Sequence, residues 1–60
     1  MQVKYRTELW SVKENGWLLL DHFTRKEHAE SVAEVYSQSR KCDSRVIYKG
    51  QIIYQVEYKK

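Results

Sequence analysis

The stretch Ser11-Val12-Lys13-Glu14-Asn15-Gly16-Trp17-Leu18 decides how the rest of this chain is read. Asn-Gly accepts the positive φ angles of a tight hairpin turn, and apolar residues flank it on both sides. Upstream, Val3, Tyr5, Leu9, Trp10 and Val12 fall among Lys4, Arg6 and Glu8, a β-prone run that predicts a strand over about 2–12. Downstream, Trp17 to Phe23 predicts a second strand over about 17–23. The chain is therefore expected to open with an antiparallel hairpin.

Beyond Phe23 the period changes. Thr24 followed by Glu27 has the spacing of a capping box, in which the hydroxyl accepts from a free backbone N–H and the carboxylate reaches back to another. Ala29, Val32, Ala33 and Tyr36 then recur at helical spacing, with His28 and Val35 at the margin of that face. Glu27, Glu30 and Glu34 mark a solvated acidic face, and Arg40 and Lys41 suit the negative end of a helix over about 25–41. After Cys42-Asp43-Ser44 come Val46, Ile47 and Tyr48, a break at Lys49-Gly50-Gln51, and Ile52, Ile53, Tyr54, Val56 and Tyr58. These predict a second hairpin with strands over about 45–49 and 51–58. The expected architecture is one α+β domain over 1–60, of order ββαββ, with a four-stranded antiparallel sheet and one helix packed on one face.

That architecture creates a coverage problem. Strand alternation sets Ile52, Tyr54, Val56 and Tyr58 opposite Ile53, Gln55 and Glu57, Val46 and Tyr48 opposite Ile47, and Leu18 and Leu20 opposite Trp17, Leu19 and Phe23. Large apolar groups thus fall on both faces, while one helix shelters one. The second face is expected to be an interface. Which of Trp10 and Trp17 it carries stays open, because a turn of two, three or four residues at Asn15-Gly16 gives different registers.

Sixty residues leave no room for a second domain, and at this size folding hides only about 60% of the surface of the unfolded chain, so a deep catalytic cleft is not expected. The longest apolar run, Trp17 to Leu20, is far short of the roughly twenty residues of a membrane span. Met1 to Arg6 has no apolar signal region, and the single Cys42 forms no internal disulfide, so a reducing, cytoplasmic setting is expected. Gly16 and Gly50 are too far apart for a phosphate-binding loop. Asp21, His22, His28, Cys42 and Asp43 show no paired ligand spacing. No catalytic residue, metal or cofactor is therefore expected.

Eleven Lys and Arg against eight Asp and Glu give a formal charge of +3, which raises the prior for an anionic partner. Lys4, Arg6, Arg45 and Lys49, with Lys59 and Lys60 at the end, interleave with Tyr5, Trp10, Tyr48, Tyr54 and Tyr58, the combination used by sheets that bind single-stranded nucleic acid. The acidic outer face of the helix argues against insertion into a DNA groove.

Trp10 to Lys13, Phe23-Thr24, the helix bearing Ala29, and Val46 to Ile52 together resemble, over about residues 9–58, a family of short bacterial ββαββ proteins of unknown function. Lys49-Gly50 stands where that family has Asp-Gly. The first hairpin and helix are similar to the arm-type DNA-binding domain of phage integrases, without its third strand. Length and element order resemble the small antitoxins of T-even phages, a likeness of topology that implies an inhibitor of a host protein.

The reading that follows is a non-enzymatic protein-binding module, an inhibitor or antitoxin-like protein of phage or mobile-element type. It is expected to act on a host or bacterial protein, or on a second copy as a homodimer, through its open sheet face or an edge strand. Trp10, Trp17, Tyr54 and Tyr58 are its expected anchors. The alternative is a nucleic-acid binder using Lys4, Arg6, Arg45 and Lys49.

Overall fold

The computed structural model describes residues 4–58. The expected residues 2 and 3 of the first strand, and Lys59 and Lys60, lie outside that range. The element order is β1 (Tyr5–Ser11), β2 (Gly16–Phe23), α1 (Lys26–Arg40), β3 (Ser44–Tyr48) and β4 (Gln51–Val56). All four strands join one antiparallel sheet in the order β2-β1-β3-β4, so the chain is an α+β ββαββ domain whose two hairpins meet along β1 and β3.

The second turn takes the tight form its residues suit, whereas in the first only Asn15 has a positive φ and Gly16 already belongs to β2. In the first, Asn15 takes a positive φ of 52°, its N–H donates to the Val12 carbonyl at 3.2 Å, and the Glu14 N–H donates to Ser11 Oγ at 3.1 Å. The last paired residues are Ser11 and Gly16, which sets Trp10 directly opposite Trp17. In the second, Tyr48 pairs with Gln51 across Lys49 and Gly50, with φ of 52° and 76°. Two successive positive φ values are the mark of a two-residue turn matched to strand twist, and Lys49 carries there the cost that a side chain meets in the left-handed region.

The helix starts later than the capping box predicts. Arg25, not Thr24, is the N-cap; it makes no side-chain capping bond, and its carbonyl accepts from Ala29 N–H at 3.1 Å. Thr24 sits in the bend that leaves β2, one residue before the cap position, so the Thr24–Glu27 box does not form. Glu27 still lies in the first turn, where the helix dipole favours it. At the other end Lys41 is left-handed at φ 56°, and the N–H groups of Lys41 and Cys42 both donate to the Ser37 carbonyl.

α1 meets the sheet along Ala29, Ala33 and Ser37, all fully buried and spaced four apart. This row differs from the expected stripe: Val32 and Tyr36 are half-buried and Val35 is exposed. Beneath it lie Thr7, Ser44 and Val46, also fully buried. The contact is close because the facing groups are small, and its hydroxyls are used. Thr7 Oγ1 donates to the Ala29 carbonyl at 3.3 Å, Ser44 Oγ to that of Ala33 at 2.8 Å, and Ser37 Oγ to that of Cys42 at 2.7 Å. Tyr5, Phe23, Ile53, Tyr54 and Val56 close the sides of this core.

Each edge strand carries one bulge. Thr7 pairs with Asp21 and Glu8 with Leu19, leaving Leu20 unpaired on β2; Val46 pairs with Tyr54 and Ile47 with Ile52, leaving Ile53 unpaired on β4. An extra residue breaks strict alternation, so Ile52 is separated from Tyr54 and Val56 and the expected single-face row on β4 does not form. Among the described residues no helix is long and apolar enough to cross a membrane.

Candidate functional site

Thr7 and Val46 pair beneath α1, so their neighbours Arg6, Glu8 and Trp10 on β1, and Arg45 and Ile47 on β3, project from the opposite face. Cross-strand pairing brings Trp17 and Leu19 of β2 and Ile52 and Gln55 of β4 onto the same side. This uncovered face is the candidate site.

Its centre is an ordered chain of contacts running across three strands. Glu8 is 6% exposed although no helix lies over it. Arg6 Nη2 donates to Glu8 Oε2 at 2.9 Å, and Arg45 Nε donates to Glu8 Oε1 at 2.7 Å. Both are charge-assisted bonds to a carboxylate that two guanidiniums hold in place. The Arg45 guanidinium carbon lies 4.0 Å from the centre of the Trp17 ring, within cation–π range. Trp17 in turn meets Trp10 edge to face, with ring centres 5.4 Å apart and an angle of 73° between planes. The two tryptophans are thus locked to each other and to the ion cluster.

The face is not the continuous apolar surface that alternation predicts. Trp10, Trp17, Leu19, Ile47 and Ile52 flank a polar centre of Arg6, Glu8 and Arg45, with Leu19 48% and Ile52 51% exposed. Two arginines against one glutamate leave that centre net positive. Glu8 is the residue that sequence reasoning passed over. Its pairing with Arg45, 37 positions away, exists only because β1 pairs with β3.

The other predicted site residues lie elsewhere. Tyr54 packs on the helix-side core, and its hydroxyl is raised above the ordinary tyrosine range, first by a hydrogen bond to Glu34, then by burial and the charges of Glu34 and Glu30. Tyr58 follows β4 and is tied through its N–H to Asp43 Oδ1 at 2.9 Å. Lys49 Nζ lies 5.4 Å from the centre of the Tyr48 ring, which stacks at 4.6 Å on that of Tyr5, a neighbour of the helix-side core. Lys4 is exposed just before β1. Of the four basic residues expected to meet phosphates, Arg6 and Arg45 are brought together, and both are engaged by Glu8.

No protein-family model, curated protein or solved structure matches this chain. The chemistry of the site must therefore be read from its own groups. Each oxygen of Glu8 accepts from an arginine, so this carboxylate ties β1 to β3 and organises the face. The Cys42 thiol is pushed above its ordinary value, mainly by burial and then by Asp43, with Arg40 opposing, which keeps it protonated and weakly nucleophilic at neutral pH. Among the described residues no group of three or more His, Cys, Asp or Glu is placed to hold a metal ion.

Proposed function

We propose that this chain is a non-enzymatic protein-binding module that docks through its open sheet face, with Trp10 and Trp17 as anchors. One observation carries the reading: the two bulkiest apolar side chains point away from α1 and are held by each other and by Arg45 rather than by a core. Rings fixed before docking lose little entropy on contact, and Trp and Arg are the residues in which binding energy concentrates. Arg6 and Arg45 leave the polar centre positive, which favours a partner offering carboxylates beside apolar side chains and disfavours stacking two copies face to face. In its finer form the partner is a host or bacterial protein that the chain inhibits, in the manner of an antitoxin-like phage protein. Tyr54, packed on the helix side, takes no part in it.

The test is capture of partners on tagged chain, with and without nuclease, for the parent chain and for Trp17→Ala. Expected is a protein retained after nuclease and weakened at least about tenfold by Trp17→Ala, with circular dichroism unchanged. Capture indifferent to Trp17→Ala would overturn the open-face reading. Capture abolished by nuclease, with oligonucleotide affinity falling steeply in salt, would replace it with the nucleic-acid alternative.

A further inference from the structure

A second apolar surface lies on the other side of the sheet. α1 meets β2 through Phe23, whose ring centre is 4.7 Å from that of His28. Toward the Gly16 end of β2, the first hairpin and the C-terminal end of α1 enclose an open groove of about 450 Å³. Its floor is apolar, made by Leu9, Leu18 and Leu20, and Leu18 is 48% exposed. Its rim is basic: Lys13 from the turn, Arg40 and Lys41 from the helix end. No carboxylate lines it, and none of the three cations forms an ion pair among the described residues. The groove also runs beside an open strand edge. β2 is the outer strand, and from Gly16 to Leu19 its pairing is regular before the Leu20 bulge twists it away.

We infer that this groove docks an extended acidic segment of a partner protein. The segment adds to the edge of β2 between Gly16 and Leu19, seats alternate apolar side chains on Leu9, Leu18 and Leu20, and sets carboxylates against Lys13, Arg40 and Lys41. Edge addition supplies directional backbone hydrogen bonds, and the pockets beside it read every second side chain. Charge decides the occupant: a second copy brings the same cations to the same rim and is repelled, while an acidic segment neutralises them. Trp10 and Leu19 of the open face also border the groove, so the two sites share the first hairpin, and the helix-end cations Arg40 and Lys41, which the open face lacks, are what tell failure of this inference from failure of the open-face reading.

The probe is an end-blocked peptide with two leucines at alternate central positions and two glutamates at each end, titrated at low ionic strength into the isotopically labelled full chain. Expected are amide shifts centred on Leu18, Leu20, Arg40 and Lys41, slowed exchange of β2 amides, and slower alkylation of Cys42 in the groove wall. Affinity should fall at least tenfold for the same peptide with lysines in place of glutamates, and likewise for the Arg40→Glu/Lys41→Glu chain. Lys13→Glu, in an exposed turn that no helix depends on, serves as the second variant and should weaken binding severalfold. Trp17→Ala, whose ring does not line the groove although it packs on Trp10, should weaken the peptide far less than Arg40→Glu/Lys41→Glu does. The inference is overturned by no binding at low salt, by equal affinity for the lysine peptide, by shifts confined to the Trp10 and Trp17 face, or by concentration-dependent self-association that protects the β2 amides without peptide.

Discussion

The two faces of this sheet reverse the usual division of labour between large and small side chains. Under α1 the fully buried groups are Ala29, Ala33, Ser37, Thr7, Ser44 and Val46, none larger than valine. On the uncovered face stand both tryptophans, Arg45, Glu8, Ile47 and Ile52. Stability on the covered side comes from close approach, with hydroxyls donating to helix carbonyls and little apolar bulk. On the open side large groups brace one another laterally and stay reachable. A chain of this size has total stability of only about 3–9 kcal/mol, so spending its two tryptophans outside the core is costly unless they do something there.

The sharpest way to break the comparison is to enlarge one small residue under the helix. Ala33→Leu adds bulk at a fully buried position whose carbonyl already accepts from Ser44. It is expected to cost about 3 kcal/mol, the upper part of the overpacking range, and to move the urea midpoint to much lower denaturant. Trp17→Ala removes far more volume, yet from a half-exposed ring, and is expected to cost about 1 kcal/mol. The reverse ranking, measured by the same titration, would mean that the tryptophans are the true core.

Smaller changes sharpen each side in turn. Ser44→Ala deletes the 2.8 Å bond to the Ala33 carbonyl, which keeps its intrahelical partner, so the expected loss is about 1 kcal/mol and a melting point lower by about 4–8 °C. On the open face Glu8→Gln breaks two ion pairs and releases Arg6 and Arg45, whose side chains are 49% and 23% exposed. Glu8 is itself buried and Arg45 only partly reached by water, so the expected loss is about 1 kcal/mol, with the more exposed Arg6 contributing least. The same variant frees Arg45 from its place over Trp17, which tryptophan fluorescence would register independently of stability.

What could be read from the residues, and what could not, follows the same division. Asn15-Gly16, the helical spacing of Ala29 and Ala33 and the β-branched runs around Gly50 are local signals, and they specify ββαββ. Facing is not local. The Leu20 and Ile53 bulges each shift alternation by one residue, and nothing in either strand announces them, so Tyr54 is expected beside Ile52 and lies on the other side of the sheet. The tryptophan pair depends on where the first turn closes, and the Glu8–Arg45 bond on which hairpin strands become central. Ser37 escapes a search for apolar spacing because it is polar, although it completes the row of small residues that lets α1 sit close.

The smallest expected effect tests that facing most directly. Glu34 accepts from the Tyr54 hydroxyl, and this bond together with burial and the nearby charges raises Tyr54 above the ordinary value of 10.0. A group whose proton is held more tightly in the folded state contributes stability that is fully present below its unfolded value and is lost as pH climbs through the raised one. Glu34→Gln removes the charge, so Tyr54 should ionise closer to the ordinary range, and this alkaline loss should shrink with it. Site-resolved NMR titration of the tyrosines would follow Tyr54 alone. If the Tyr54 titration does not move on Glu34→Gln, the Glu34 carboxylate does not reach the Tyr54 hydroxyl, and the ring is held on the helix side by packing alone.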